Sequence, residues 1–119
     1  MLLHMTARAA WEAAQAEGVY RAPSLATEGF IHCSTREQIL AVANRFYRGQ
    51  PAQVLLEIDP RRLDVPIRWE GADPEWGEFP HLYGPLRVDA VTRVLPFPQD
   101  AAGDFVLPVE LGVKQPDPF

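Results

Sequence analysis

Cysteine occurs once, at Cys33, which excludes an intramolecular disulfide framework and any metal cage built from cysteines. No apolar run approaches the roughly 20 residues of a membrane span. The opening Met1-Leu2-Leu3-His4-Met5-Thr6-Ala7-Arg8 lacks the basic start and long apolar stretch of a secretory leader, so a cytoplasmic location is expected. Basic residues are also scarce, eleven against sixteen acidic ones, for a net charge of −5. Neutralising a duplex needs clustered Lys and Arg, so duplex DNA is not an expected partner, nor is a membrane. The sequence contains no glycine-rich phosphate loop with lysine, no His-Glu-x-x-His zinc helix and no Gly-x-Ser-x-Gly elbow.

What remains is the composition of one globular domain over residues 1–119, with 47% hydrophobic and 23% charged residues. Met1 to Met5 predicts a first strand, and Thr6 a cap for a helix whose apolar stripe is Ala7, Ala10, Trp11 and Ala14. Gly18 stops it. Gly29 to Ser34 predicts a second strand, and Ser34-Thr35-Arg36-Glu37 reads as a capping box. It opens a helix carrying Ile39, Val42, Ala43, Phe46 and Tyr47 on one side and closed by Gly49 and Pro51. Eleven of the twelve prolines lie at or after Pro51, which makes the second half turn-rich and strand-like. Strands are expected at Val54 to Asp59, Ile67 to Glu70, Leu82-Tyr83 and Val91 to Phe97, with a loop over 71–77. Phe105 to Leu111 forms a last strand or lies over the body. The fold class is α+β, with a mostly antiparallel sheet and two helices in the N-terminal half.

The three histidines share a pattern: each has a hydroxyl side chain two residues on, His4 with Thr6, His32 with Ser34 and His81 with Tyr83. Positions i and i+2 of a strand point to one face, so each His shares a surface with its hydroxyl. Phe30 joins His32 and Ser34 on that face, which leaves Ile31 and Cys33 for the core. Imidazoles titrate near neutrality and serve equally as acid, base or anion holder, so His4, His32 and His81 are the candidate catalytic residues. They are expected to converge on one crevice within about 10 Å, the reach of some three extended residues. Two helix N-termini, after Thr6 and Ser34, would face that crevice and favour a pyrophosphate-like anion. Trp69 and Trp76 form a possible aromatic rim.

Glu28-Gly29-Phe30-Ile31-His32-Cys33-Ser34 and Phe79-Pro80-His81-Leu82-Tyr83-Gly84-Pro85-Leu86 are distinctive segments. With Leu3-His4-Met5-Thr6 and Val54 to Asp59 they resemble the bacterial and plant family known as domain of unknown function 952. The resemblance covers about residues 2–97 and leaves 98–119 as a C-terminal extension. It implies an ADP-ribosyltransferase-like fold, a split antiparallel sheet with a cleft for NAD or a related nucleotide. In active transferases of that fold a first-strand His or Arg holds the cofactor, an aromatic or hydroxyl lines the nicotinamide pocket, and a later Glu stabilises the oxocarbenium. His4 suits the first role, and Thr6, Phe30, Ser34 and Tyr83 are the implied nucleotide contacts. The late motif offers no Glu on the face of His81 and Tyr83; Glu78 lies three residues before His81 and is counted with the implied nucleotide contacts. A phosphotransferase branch of the fold acts on RNA 2′-phosphates without a catalytic Glu. The implied cosubstrate is thus NAD, in glycosyl or phosphoryl transfer on a small-molecule nucleotide; no metal is expected, and no protein partner is specified. Two other readings compete: a zinc hydrolase with the three His as ligands, and a non-catalytic binding module with a degraded cleft.

Overall fold

The computed structural model describes residues 1–71 and 73–112. Its elements are the strands β1 (Leu2–Ala7), β2 (Val19–Tyr20), β3 (Ile31–His32), β4 (Gln53–Ile58), β5 (Ile67–Glu70), β6 (Phe79–Leu82), β7 (Leu86–Arg87) and β8 (Val91–Pro96). The helices are α1 (Arg8–Glu17), α2 (Pro23–Thr27), α3 (Arg36–Phe46) and α4 (Val109–Gly112). Every paired strand is antiparallel, and the class is α+β.

Two three-stranded sheets dominate, in the orders β1-β4-β8 and β3-β6-β5, beside a small β2-β7 ribbon. β4 is the spine of the first sheet, because Val54, Leu55, Leu56 and Ile58 are all fully buried. A strand buried on both faces needs cover on both, and it has it. Leu56 and Ile58 pack with Leu2, Trp11, Ala14 and Leu82 on one side. Leu55 packs with Leu3, Ile39, Ala43 and Phe105 on the other.

The two sheets meet at one place. Leu3 and Ser34 exchange backbone hydrogen bonds of 2.8 Å each way, an isolated antiparallel bridge between β1 and the end of β3. Two residues further along, where Met5 would face His32, the strands have parted. The His4 imidazole closes the gap: its Nδ1 lies 2.6 Å from the His32 carbonyl oxygen. A carbonyl only accepts, so Nδ1 carries the proton and Nε2 is left as an acceptor. The Tyr20 hydroxyl, 2.8 Å from Nε2, donates to it, and Thr6 Oγ1 stands 2.9 Å from that hydroxyl. His4, Thr6 and Tyr20 are all buried. The split sheet is therefore held by a side-chain relay where the backbone ladder stops.

Several boundaries differ from the sequence expectation, each for a local reason. Thr6 does not cap α1; it stays in β1 and joins the relay, and Ala7 takes the N-cap position. Of the expected stripe only Trp11 and Ala14 are buried, while Ala7 and Ala10 face solvent. Gly18 ends α1 as expected, with φ of 88° and its N–H on the Ala14 carbonyl. The capping box of α3 sits one residue later than expected, on Thr35 and Gln38, so Ser34 is not the cap. The second strand shrinks from 29–34 to Ile31–His32, because Gly29 turns the chain with φ of 91° after α2.

The late strand starts at Phe79 rather than Leu82, since the central strand accommodates Pro80. Its carbonyl accepts from Cys33 N–H at 3.0 Å, and it has no N–H to return, so the ladder ends there. Phe105 to Leu111 is not a strand; Phe105 and Leu111 lie over α3 in the core. Asn44 clamps Phe105 by donating to its carbonyl at 3.2 Å and accepting its N–H at 2.6 Å. The remainder of the expected extension, 113–119, lies outside the described residues. No helix among them is long and apolar enough to cross a membrane.

Burial lowers the His4 pKa to about 4, against a carbonyl bond that raises it. An unfolded chain protonates its histidines near ~6.5. Between these values the unfolded state binds more protons, so the stability tied to neutral His4 is complete above ~6.5 and lost as pH falls towards 4, roughly 3 kcal/mol in total. Denaturant titrations stepped through this range check it. His4→Asn keeps a donor for the His32 carbonyl but cannot titrate there, and its stability curve should be flatter by about that amount. Equal slopes would remove His4 from the acid sensitivity.

Candidate functional site

His32 stands opposite His81 in the β3–β6 pair. The flanking Cys33–Pro80 position carries the backbone bond, so His32–His81 is a pair without one, where side chains approach most closely. The ring centroids are 5.1 Å apart, edge to face. Phe30 lies flat on His81, with centroids 4.1 Å apart and planes at 14°, and meets His32 edge-on at 4.9 Å. It also touches Tyr83, whose ring centroid is 5.3 Å away.

Each of these two imidazoles holds a carboxylate. His32 Nε2 is 2.7 Å from Glu28 Oε2, and His81 Nδ1 is 3.0 Å from Glu70 Oε1. Tyr83 donates its hydroxyl to the same Glu70 oxygen, and Arg68 lies over the Tyr83 ring at 4.6 Å. Alternation explains the grouping: Arg68 and Glu70 on β5 share a face with His81 on β6, while Ile67 and Leu82 turn to the core. The Tyr83 hydroxyl and His81 hold the Glu70 carboxyl below the usual range, and Glu70 in turn raises the Tyr83 phenol. Burial pushes the Cys33 thiol up to about 12, which makes it a core residue and not a nucleophile.

A crevice of about 360 Å³ opens beside this cluster, between α3 and the β3–β6 face. His32 and Ser34 supply its polar groups, and Val42, Phe46, Tyr47 and Phe79 its apolar walls. Phe46 is 61% exposed, and Trp76 packs against it with ring centroids 6.0 Å apart. Of the apolar residues at helical spacing on α3, Ile39 and Ala43 are buried, while Phe46 and Tyr47 line the crevice. A second crevice, of about 300 Å³, adjoins across His32 and Tyr47 and is lined by Thr6, Tyr20, Ser24 and Gln50 among others.

The structure therefore brings His32, His81, Phe30 and Tyr83 into one cluster, with Ser34 at its edge. His4 is adjacent but differently employed, since both its ring nitrogens are taken by the His32 carbonyl and Tyr20. That commitment removes the third ligand from the three-histidine zinc reading, and no group of three His, Cys, Asp or Glu among the described residues is placed to hold a metal.

Glu78 lies outside the cluster: its carbonyl accepts from Gln38 Nε2 at 2.7 Å, and its carboxylate makes no hydrogen bond among the described residues. The carboxylate that meets His81 and Tyr83 is that of Glu70, on a strand expected from sequence but not placed beside His81. The two helix N-termini do not share a crevice. The Leu3–Ser34 bridge is antiparallel, so α1 leaves the far end of β1 while α3 leaves beside Leu3. Trp69 alternates away from the histidines and lines a separate hollow with Leu2 and Arg36; Trp76 alone borders the candidate crevice through Phe46.

A model of the family described as "Protein of unknown function (DUF952)" matches residues 5–94. The chain is similar to the crystal structure of protein CC0527 from Caulobacter crescentus, at 36% identity and a TM-score of 0.83, covering 94% of this chain and 98% of that one. The solution structure of CC0527 is similar over 87% of this chain and 89% of that one, at 38% identity and a TM-score of 0.71. No curated protein matches.

The shared Glu70 oxygen sets a measurable property. Tyr83 should ionise above an ordinary tyrosine, because its proton is held by a carboxylate that ionisation would oppose. In an ultraviolet phenolate titration read as the difference between parent and Tyr83→Phe, Glu70→Gln should move this transition down towards ~10. An unmoved transition would mean that the hydroxyl does not engage Glu70.

Proposed function

The chain belongs to the DUF952 family, and from that premise we propose that it binds NAD or a related nucleotide across His32, with the His32–His81 cluster beside the reacting bond. The observation that carries this reading is the meeting of two crevices at His32 and Tyr47, one of them aromatic-walled. A dinucleotide is two mononucleotides joined by a pyrophosphate, and two adjoining hollows suit that shape. Pockets of ~300–1,000 Å³ are the ordinary range for small ligands. Phe46 and Tyr47 offer flat apolar surface for a base, and a base stacked on an aromatic side chain gains ~1–3 kcal/mol.

The residues fit NAD in kind. Glu70 is an ionised carboxylate held by Tyr83 and His81, the type of group that steadies an oxocarbenium as a nicotinamide bond breaks. NAD, when bound, would supply that labile bond; Phe46 and Tyr47 would bind, and Ser34 and His32 would orient. The split sheet joined at Leu3–Ser34 supports the ADP-ribosyltransferase-like assignment as part of the same proposal. His4, the expected cofactor holder, acts in this reading as a positioning residue through the His32 carbonyl. A glycosyl or phosphoryl transfer at this cluster is the associated activity.

Calorimetry with NAD, ADP-ribose and mononucleotides tests the reading. Binding to the parent protein should weaken at least tenfold in Phe46→Ala and in His32→Ala, each checked for folding by circular dichroism. A parent protein that binds none of these ligands defeats the reading and leaves the non-catalytic module in its place.

A further inference from the structure

The carboxylate partners fix the protonation geometry of both imidazoles. Glu28 only accepts, so in neutral His32 the proton sits on Nε2 and the lone pair on Nδ1. Glu70 only accepts, so in neutral His81 the proton sits on Nδ1 and the lone pair on Nε2. Neither of those second nitrogens has a partner among the described residues. No polar side-chain atom among them is both buried and without a partner, so His81 Nε2 is not sealed from solvent, although the residue is 9% exposed. Two oriented imidazoles, 5.1 Å apart between centroids, thus each keep one nitrogen for chemistry.

A single catalytic proton transfer needs one such group; two, side by side, suit a reaction that takes a proton at one oxygen and gives one at another. In-line transfer at phosphorus has this demand. We infer that His32 and His81 form an acid–base pair for metal-independent cleavage of ribonucleotide phosphodiesters through the substrate's own 2′-hydroxyl. The inference rests on the nucleotide-binding reading and names its substrate class and reaction.

The step balances as follows. One imidazole, neutral, takes the 2′-hydroxyl proton as the 2′-oxygen bonds to phosphorus. The bond from phosphorus to the 5′-oxygen breaks, and the other imidazole, protonated, gives its proton to that oxygen. The products are a 2′,3′-cyclic phosphate and a 5′-hydroxyl, and no electrons are exchanged. Water then adds to the cyclic phosphorus with the proton roles reversed, opening the ring to a phosphomonoester.

The surrounding charges are compatible with an anion despite the acidic chain. Glu28 from the end of α2 and Glu70 from β5 are each engaged by an imidazole, and Tyr83 donates to Glu70. Arg68, also from β5, stands over Tyr83 as the nearby guanidinium, and the Tyr47 phenol closes the α3 side. The aromatic crevice next to His32 would seat a flanking base.

The test uses the dinucleotide uridylyl-adenosine, its 2′-deoxy counterpart and uridine 2′,3′-cyclic phosphate, in buffer with chelator, followed by chromatography and phosphorus NMR. Parent protein should cleave the ribo substrates with a bell-shaped pH dependence, because one imidazole must be neutral and the other protonated. His32→Ala, His81→Ala and His81→Asn, prepared in parallel, should each lose ~10²-fold or more. His81→Asn keeps a donor for Glu70 and guards against a merely structural loss. Nucleotide binding by the parent without any cleavage overturns this inference and leaves the binding reading intact. Equal cleavage of the deoxy substrate, or activity that survives in the histidine variants, also overturns it. Absence of both binding and cleavage defeats the two readings together.

Discussion

One hydrogen bond, from the His4 ring to the His32 carbonyl, decides how the halves of this molecule sit together. Backbone pairing between β1 and β3 lasts for a single bridge. Beyond it the strands part, and a parted sheet leaves carbonyls that need donors. A buried carbonyl without one costs about 1–3 kcal/mol. His4 meets that need at 2.6 Å and is itself fixed by Tyr20, whose hydroxyl is fixed by Thr6. The relay ties β1, β2 and β3 at one point. It also sets the position of His32, because the carbonyl it grips belongs to that residue.

The second constraint is covalent. Pro80 lies in a central strand, where proline is rare because it cannot donate. Opposite Cys33 it accepts one bond and returns none, and β3 ends after two residues. The last full cross-strand pair before this defect is His32–His81. Its lack of direct backbone bonds brings the two rings to 5.1 Å, and Phe30 stacks over the result. The motif Phe79-Pro80-His81 thus carries its own explanation: the proline frees the edge, and the histidine uses the closeness that the pairing geometry gives.

How much of this was legible before the structure depends on the range of the interactions involved. Alternation along a strand placed His32 with Ser34 and His81 with Tyr83, and both pairs do share a face, because period-2 geometry is local. Helical spacing located α3, whose buried residues are Ile39 and Ala43. The same spacing says nothing of the environment of Phe46 and Tyr47, since a hydrophobic side chain reads alike whether it faces a core or a crevice. Glu70 is not legible as a partner of His81 for a longer-range reason. Its partnership with His81 depends on the register between β5 and β6, which pairs Arg68 with His81 and which no local period reveals. Thr6 and Ser34 read as caps because both precede helices; each is claimed by β1 or its bridge, and the helices begin beyond them.

The two roles of histidine here respond differently to acid, and this bears on any activity at the cluster. His4 stabilises the join only while neutral, so protons taken up by unfolding weaken the frame from ~6.5 downward. An imidazole pair working as acid and base also fails in acid, when both rings are charged. A falling rate at low pH would therefore combine a failing frame with a failing base. The contributions separate by reversibility and by position. Frame loss removes the tertiary signal of Tyr20 and tracks denaturant sensitivity, whereas base loss leaves the fold intact and recovers at once on return to neutrality. His4 stays neutral to about 4 only because the folded core around it excludes solvent. The frame consequently keeps its geometry while its stability declines, because the unfolded chain takes up protons before His4 itself accepts one.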